Sequence, residues 1–184
     1  MSILTTGDPT TSPSFSLVNR LSRFAWAIIW AFFFRPSPRP LHAWRNFLLR
    51  IFQAKIGKNV HIYPSVRIWA PWNLEVEDGV GIGDGANIYS MGKIKIGTRA
   101  VISQGAHLCA GTHDINSPRF QLVVKNITIG PKSWICAEAF IGPGVSIADG
   151  CVIGARAVVF KSIENCWTVW SGNPAKIIKT RSQH

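Results

Sequence analysis

The chain has 184 residues, which is enough for one domain with a sizeable core and some appended structure. Twenty Lys and Arg against nine Asp and Glu give a formal net charge of +11, and such a charge favours anionic partners such as phosphates or acidic lipids. No RNA-recognition signature, basic zipper or zinc-finger spacing accompanies the charge. We therefore expect no nucleic acid partner.

Residues 1–55 form an N-terminal extension that is predicted to contain helices. Residues 24–34 are eleven uninterrupted apolar residues, whereas a helix needs about 20 to cross a bilayer. Basic residues flank this block on both sides, which suits a helix lying in a membrane interface. A helix packed on the protein body or on a neighbouring subunit fits the same pattern. For residues 17–34 we keep both peripheral membrane contact and subunit packing as expectations.

The location of the protein follows from two further features. No small-residue cleavage site follows the apolar block, so the sequence predicts no secretory signal. The four cysteines include no C-x-x-C pair and are expected to be reduced thiols. We expect a cytoplasmic protein, held at the inner face of the membrane if residues 17–34 contact lipid.

From residue 56 onwards large aliphatic residues recur with a period of six. Seventeen anchor positions carry only Ile, Leu or Val, which makes chance periodicity a poor explanation. A small or β-branched residue comes four positions after most anchors. The anchors are Ile56, Ile62, Ile68, Leu74, Val76, Ile82, Ile88, Ile94, Ile96, Ile102, Leu108, Ile129, Ile135, Ile141, Ile147, Ile153 and Val159.

This period predicts a short strand and a corner every six residues, with the anchor pointing inward. Three such sides close one coil, and successive coils stack at roughly 4.8 Å. Glycine often follows an anchor directly, as in Ile96-Gly97, and we interpret these glycines as permitting backbone conformations that a Cβ would strain. Periodicity does not give the handedness of the coil.

Two motifs accompany the repeat: Gly-Thr-His-Asp at 111–114 and Ser-Gly-Asn-Pro-Ala-Lys at 171–176. Together with the repeat, over residues 56–180, they resemble the hexapeptide-repeat acyltransferases. The segments at 34–40 and 62–73 further resemble the colanic acid biosynthesis acetyltransferase subgroup. The resemblance implies a mainly β protein, a left-handed parallel β-helix with an N-terminal helical extension.

The resemblance also implies an organisation and a chemistry. The β-helix should cover 56–170 with an excursion loop at 114–128, and residues 171–184 should form a tail over a coenzyme A groove. Family members are homotrimers with active sites between adjacent subunits. They use acetyl-CoA as co-substrate, and the subgroup implies O-acetylation of a sugar or polysaccharide precursor. No metal is expected.

His113 is the candidate catalytic residue. Acetyl transfer from a thioester to a hydroxyl needs a base for the hydroxyl proton, and an imidazole can take that proton and return it to the departing thiolate. A surface histidine at a turn is the alternative, but the place of His113 at the end of a coil and before a long loop favours catalysis. A covalent route through Cys109 is conceivable, although the resemblance implies direct transfer.

Further roles are implied by the resemblance, position by position. Trp134 matches a tryptophan beside the coenzyme A arm, and Ala137 and Ala155 match small residues along the pantetheine. The basic positions near the coenzyme A phosphates are Lys161, Lys176 and Lys179. The candidate acceptor-binding residues are Asp84, Asn87 and Tyr89.

Two alternative functions remain open on the sequence. A metal enzyme of the γ-carbonic anhydrase type shares the fold but normally needs three histidine ligands. The sequence offers only His107, His113 and the distant His61 within the repeats. A non-catalytic β-helix or assembly subunit would keep the coils and lose the chemistry.

Overall fold

The computed structural model describes residues 2–3 and 13–183. Its N-terminal part contains strand β1 (Ser2–Ile3), helix α1 (Leu17–Ile29), a π-helical turn (Trp30–Phe34) that continues α1, and helix α2 (His42–Ile51). The rest is a parallel β-helix. This confirms the predicted fold class, a mainly β solenoid with an N-terminal helical extension.

The β-helix has three faces, each a parallel sheet of short strands. Face 1 contains β2 (Lys55–Ile56), β5 (Leu74–Val76), β8 (Ile94–Ile96), β13 (Ile127–Ile129) and β16 (Ser146–Ile147). Face 2 contains β3 (His61–Ile62), β6 (Gly81–Ile82), β9 (Val101–Ile102), β14 (Trp134–Ile135), β17 (Val152–Ile153) and β19 (Thr168–Ser171), joined by the antiparallel β20 (Lys176–Thr180). Face 3 contains β4 (Arg67–Ile68), β7 (Asn87–Tyr89), β10 (His107–Cys109), β15 (Phe140–Ile141) and β18 (Val158–Val159).

The anchors form columns along the axis of the β-helix. On face 2 the ladder pairs Ile62, Ile82, Ile102, Ile135 and Ile153 in succession, and each of these side chains is fully buried. A buried aliphatic side chain contributes about 1.5–3 kcal/mol relative to an exposed one. The repeat is therefore the core of the protein.

The predicted reason for the glycines after the anchors is wrong. Gly97 does not have a positive φ. A Cβ on Gly97 would instead lie 2.6 Å from the backbone N of Pro131 in the next coil. The left-handed positions come later in each corner, for example at Gly79 (φ 70°) and Arg99 (φ 57°). The anchor glycines are thus required by the close approach of the next coil.

The helical extension closes the N-terminal end of the β-helix. The first coil has no preceding coil to bond its backbone carbonyls, so side chains of α1 and α2 donate to them. The donor and acceptor pairs are Trp26 Nε1 to Ile68 O (2.7 Å), Trp30 Nε1 to Val66 O (2.8 Å), Arg45 Nε to Ile62 O (2.6 Å), Asn46 Nδ2 to Val60 O (2.7 Å) and Arg50 Nη2 to Ile56 O (3.0 Å).

Arg45 makes several of the hydrogen bonds that close this end of the β-helix. Its side chain is fully buried, and beside Ile62 it also bonds Ser37 Oγ (2.8 Å), Pro38 O (2.9 Å) and Arg39 O (2.5 Å). The guanidinium therefore holds the proline-rich segment at 36–40 against the first coil.

The helix that begins at Leu17 is longer than the apolar block predicted. It runs over Leu17–Phe34, 18 residues, and by length and composition it could cross a membrane. Only 11% of it is buried. Its inner face, however, is attached to the first coil through the indoles of Trp26 and Trp30.

Candidate active site

A hairpin interrupts the β-helix after β10. It consists of β11 (Gly111–His113) and β12 (Leu122–Val124), which pair antiparallel with His113 opposite Leu122. Strand β1 pairs with the outer side of β12. The chain rejoins the β-helix at Ile127, so the predicted loop at 114–128 contains a strand. This small sheet places His113 at the end of a paired strand.

The His113 ring has a defined orientation. Its Nδ1 lies 2.8 Å from the carbonyl oxygen of Phe120, and its ring stacks on the Phe120 ring with centroids 4.5 Å apart and an interplanar angle of 10°. A carbonyl oxygen only accepts hydrogen bonds, so Nδ1 carries the hydrogen. The lone pair of the neutral imidazole is then on Nε2, and the side chain is exposed.

The turn between the two strands holds Phe120 in place. Phe120 has a positive φ of 45°, and its N–H donates to Ser117 O at 2.9 Å. Asp114 accepts from the N–H of Asn116 through Oδ1 at 3.0 Å and donates its own N–H to Gln121 O at 2.8 Å. Asp114 therefore shapes the loop that positions the His113 ring.

Two of the predicted acceptor residues lie on face 3 beside the hairpin. Asn87 and Tyr89 are on β7, paired with His107 and Cys109 of β10. The Asn87 amide donates to His107 Nε2 at 3.3 Å. The Tyr89 ring lies against Gly111, where a Cβ would come within 3.3 Å of Cε1. Tyr89 thus contacts the base of the strand that ends in His113.

Asp84 differs from the other two acceptor candidates. It lies at the corner before β7, and its two carboxylate oxygens are engaged by Arg39 and by Ser65 Oγ, the latter at 2.7 Å. The structure therefore places Asp84 at the far end of β7 from Tyr89, with protein partners for both oxygens.

Three of the six predicted coenzyme A residues lie on face 2. Trp134 is 47% exposed, and its Nε1 donates to Ser103 Oγ at 2.8 Å. Across the ladder, Trp134 pairs with Val152, Val152 with Val169, and Val169 with Lys179. Lys179 therefore lies on the Trp134 side of face 2, three strands away, at roughly 14 Å.

The remaining predicted cofactor residues lie at two corners and at the start of β20. Ala137 and Ala155 follow β14 and β17, and the N–H of Arg156 donates to Ala137 O at 2.9 Å, so the two alanines occupy successive coils of one corner. Lys161 follows β18 at the next corner and is exposed. Lys176 begins β20, opposite Ser171.

One chain does not bring these residues together with His113. The hairpin leaves where face 3 turns into face 1, whereas Ala137 and Ala155 lie where face 2 turns into face 3. The face 3 strands, two or three residues long, separate these corners by roughly 7–10 Å. Within one chain the two sets therefore lie at opposite edges of face 3.

Cys109 and His107 have local partners. Cys109 Sγ lies 3.3 Å from Gly111 O. Burial lowers the pKa of His107, whose ring lies 6.3 Å from that of Tyr89 and 5.3 Å from that of Phe140. Both residues are part of the packing of face 3.

The histidines required by the metal-enzyme alternative are not assembled in the described part of the chain. His61 stacks on His42 at the first coil, His107 receives the Asn87 amide, and His113 stacks on Phe120. Among the described residues, no group of three or more His, Cys, Asp or Glu could hold a metal ion.

Sequence reasoning missed two features of the site. Phe120 orients His113, and no repeat or motif marks it. A ladder of rings also runs along face 3, with centroid separations of 5.0–6.3 Å. The outward positions beside the face 3 anchors could have shown most of it. Its members are Phe15, Trp69, Tyr89, His107, Phe140 and Phe160.

Comparison with known proteins identifies the family. Residues 126–161 match the family described as bacterial transferase hexapeptide (six repeats). Over 156 residues the chain is 48% identical to WcaF of Escherichia coli (strain K12), which is named as a colanic acid biosynthesis acetyltransferase, and the match covers 85% of each chain. The chain belongs to the hexapeptide-repeat acetyltransferases. The predicted family and enzyme class are confirmed.

Solved structures share the fold. A maltose O-acetyltransferase from Clostridium difficile 630 superposes with a TM-score of 0.83 at 23% identity, covering 91% of this chain and 90% of that one. A hexapeptide-repeat acetyltransferase from Vibrio cholerae O1 biovar eltor, solved with acetyl-CoA, gives a TM-score of 0.81 at 20% identity and 91% coverage of both. Membership in this family favours the acetyltransferase over the γ-carbonic anhydrase and non-catalytic alternatives.

Proposed function

We propose that this acetyltransferase moves the acetyl group of acetyl-CoA to a hydroxyl of a sugar or polysaccharide precursor, with His113 as general base. The observation that carries the proposal is the hydrogen bond from His113 Nδ1 to the Phe120 carbonyl. It leaves the Nε2 lone pair free and exposed, at the end of a strand next to Tyr89. An imidazole held in this tautomer is prepared to accept a proton.

The proposed reaction is direct. Nε2 of His113 takes the hydroxyl proton as the acceptor oxygen attacks the thioester carbonyl. The tetrahedral intermediate then expels the coenzyme A thiolate, which receives the proton from the imidazolium. The bond from the carbonyl carbon to sulfur breaks, the bond to the acceptor oxygen forms, and His113 returns to its neutral state. No acyl-enzyme on Cys109 is required.

The donor would lie along face 2 of a neighbouring subunit. Trp134, Ala137 and Ala155 offer an indole and two small side chains along which a pantetheine arm can run. Lys161, Lys176 and Lys179 are exposed cations suited to the coenzyme A phosphates. Because one chain separates these groups from His113, we propose a homotrimer in which each groove lies between two subunits.

The proposed acceptor is a saccharide. The relative WcaF is named for colanic acid biosynthesis, and a structural neighbour is a maltose O-acetyltransferase. On this chain the half-buried Asn87 and Tyr89 offer an amide and a phenol beside the hairpin. Asp84, with both oxygens engaged, would act on the acceptor only through Arg39 or Ser65.

The test compares wild-type protein with His113→Ala and His113→Asn. The asparagine amide can still donate to the Phe120 carbonyl but cannot serve as the base. Release of coenzyme A thiol is followed with acetyl-CoA and a panel of nucleotide sugars and oligosaccharides. We expect acceptor-dependent turnover to fall by about 10²- to 10⁴-fold in both variants, with unchanged acetyl-CoA affinity. Retained turnover in His113→Asn would refute the role of His113.

We also propose that the enzyme is cytoplasmic and rests on the inner face of the membrane through the outer side of the helix Leu17–Phe34. Large apolar side chains at helical spacing are exposed there: Leu17 (66%), Leu21 (58%), Phe24 (66%), Ile28 (41%) and Phe32 (71%). The inner side of the helix is bonded to the first coil. The helix can therefore lie in the interface without leaving the protein.

The charge of this region matches an anionic lipid surface. Residues 9–74 contain nine Arg and Lys and no Asp or Glu. Basic segments next to an apolar helix face are attracted to acidic lipids within about a Debye length.

Vesicle co-sedimentation tests the membrane contact. We expect the protein to bind vesicles of mixed phosphatidylcholine and phosphatidylglycerol, less so at high salt, and to bind phosphatidylcholine alone weakly. The double variant Leu21→Glu with Phe24→Glu should lose binding, whereas Ile178→Glu, an exposed apolar position on β20, should not. Equal sedimentation of all three proteins would contradict the proposal.

A further inference from the structure

A cavity of about 300 Å³ lies between α1 and the start of face 3, apart from His113. This volume is at the lower end of the range for small-ligand sites, roughly 300–1,000 Å³. Its lining combines two arginines with three tryptophans. The lining residues are Arg23, Trp26, Ala27, Trp30, Arg67, Ile68 and Trp69.

The cavity walls are held in place. The indole N–H of Trp26 donates to Ile68 O at 2.7 Å and that of Trp30 donates to Val66 O at 2.8 Å. Trp26 also packs edge-on against Phe34 at 5.7 Å. These bonds join α1 to the first coil at the cavity wall.

The two arginines have no carboxylate partner among the described residues. The guanidinium of Arg23 stacks over Trp69 at 4.4 Å and donates from Nε to Asn19 Oδ1 at 3.0 Å. Arg67 lies over the Trp30 ring at 5.8 Å. Stacking leaves the N–H groups of a guanidinium free to point outward.

The charge in the cavity is uncompensated. Burial lowers the pKa of Arg23, the nearby Tyr89 phenol raises it in part, and the charge of Arg20 lowers it. A partly desolvated cation without an anion nearby is unfavourable, and a bound phosphate would remove that cost through charge-assisted hydrogen bonds.

We propose that this cavity binds the phosphate or diphosphate group of the acceptor, so that the enzyme acts on a diphosphate-linked sugar. This inference rests on the proposed function and adds the class of its acceptor. Arg23 and Arg67 would bind the phosphate oxygens, and the tryptophan rings would cover the adjoining sugar or apolar group. The diphosphate can belong to a nucleotide or to a lipid.

The cavity lies on a continuous path to His113. Trp69 is 5.9 Å from Tyr89 between ring centroids, and the Tyr89 ring lies against Gly111, two residues before His113. Strands β4 and β10 are two steps apart on face 3, which is about 10 Å. A sugar attached to a phosphate in the cavity would extend over these rings towards the base.

Isothermal titration calorimetry tests the site without using catalysis. The probes are inorganic pyrophosphate, UDP-galactose and farnesyl diphosphate, each titrated in saturating coenzyme A so that the donor phosphate site is filled. Arg23→Gln and Arg67→Gln are compared with Arg99→Gln, an exposed arginine in a corner between faces 1 and 2. We expect about 10- to 100-fold weaker pyrophosphate binding in the first two variants and less than a twofold change in the third.

The outcomes separate this site from the catalytic proposal. Tighter binding of UDP-galactose than of farnesyl diphosphate would identify a nucleotide-linked acceptor, and the reverse order a lipid-linked one. Absence of binding for all three probes, or equal binding in all variants, would overturn the site even if His113 proves essential for acetylating free sugars. If pyrophosphate binding depends on Arg23 and Arg67 but His113→Asn keeps full turnover, the phosphate site is supported. The role of His113 as general base is then refuted.

Discussion

The contact between His113 and Phe120 gives a quantitative prediction. The stacked pair, 4.5 Å apart and nearly parallel, should contribute about 0.5–1.5 kcal/mol to holding the imidazole in its reactive orientation. Phe120→Leu removes the ring and keeps the backbone carbonyl. If orientation is what the ring supplies, kcat should fall by about 2- to 12-fold, with little change in the KM for acetyl-CoA. Phe120→Tyr keeps the ring and should stay within about twofold of wild type.

The assay is steady-state thiol release with a saccharide acceptor, accompanied by thermal unfolding. Because Phe120 is about half exposed, we expect the unfolding temperature to change little. An unchanged kcat in Phe120→Leu would show that the ring does not orient His113. A loss as large as that of His113→Ala would show that Phe120 has a role beyond orientation.

Further predictions concern stability. Arg45→Met should lower the free energy of unfolding by about 3 kcal/mol, because several acceptors near the buried guanidinium lose their donor; urea unfolding measures this. Gly97→Ala should destabilise by about 1–3 kcal/mol since the Cβ meets backbone, whereas Gly81→Ala, with no atom within 4 Å of its Cβ, should be neutral; destabilisation of both alike would contradict the contact argument. Burial lowers the pKa of both His42 and His107, so the unfolded state binds more protons and stability should fall as pH drops below about 6.5. Urea unfolding at pH 7.5 and 5.5 should show a smaller fall in His107→Phe, and an equal fall would contradict this assignment.

The architecture could be predicted because large aliphatic side chains at a period of six can all be buried only inside a coil. A chain in which every sixth residue is Ile, Leu or Val buries those residues only by coiling, and Ile135 pairs with Ile153, 18 residues on, as the period requires. The position of His113 before a long interruption was also evident, since an interruption of a regular repeat is visible in the sequence.

What could not be predicted depends on contacts between aperiodic segments. The bond from His113 to Phe120 is set by the register of a hairpin and by a left-handed residue in its turn. Arg39 and Asp84 form an ion pair across 45 positions, which no local pattern shows. The role of the anchor glycines was predicted wrongly as backbone freedom. The actual cause at Gly97 is the backbone of Pro131, which belongs to the next coil and is not visible from the local sequence.

The two ends of the β-helix have a consequence for solubility. A stack of parallel strands presents open edges that can template further strands from other molecules, which is a route to fibrous aggregation. At one edge the carbonyls of the first coil are occupied by donors from α1 and α2. At the other edge β20 reverses direction against β19, and the N–H of Ala175 donates to Val158 O at 2.9 Å. The segments that border the proposed saccharide and coenzyme A sites thus also keep the solenoid from polymerising end to end.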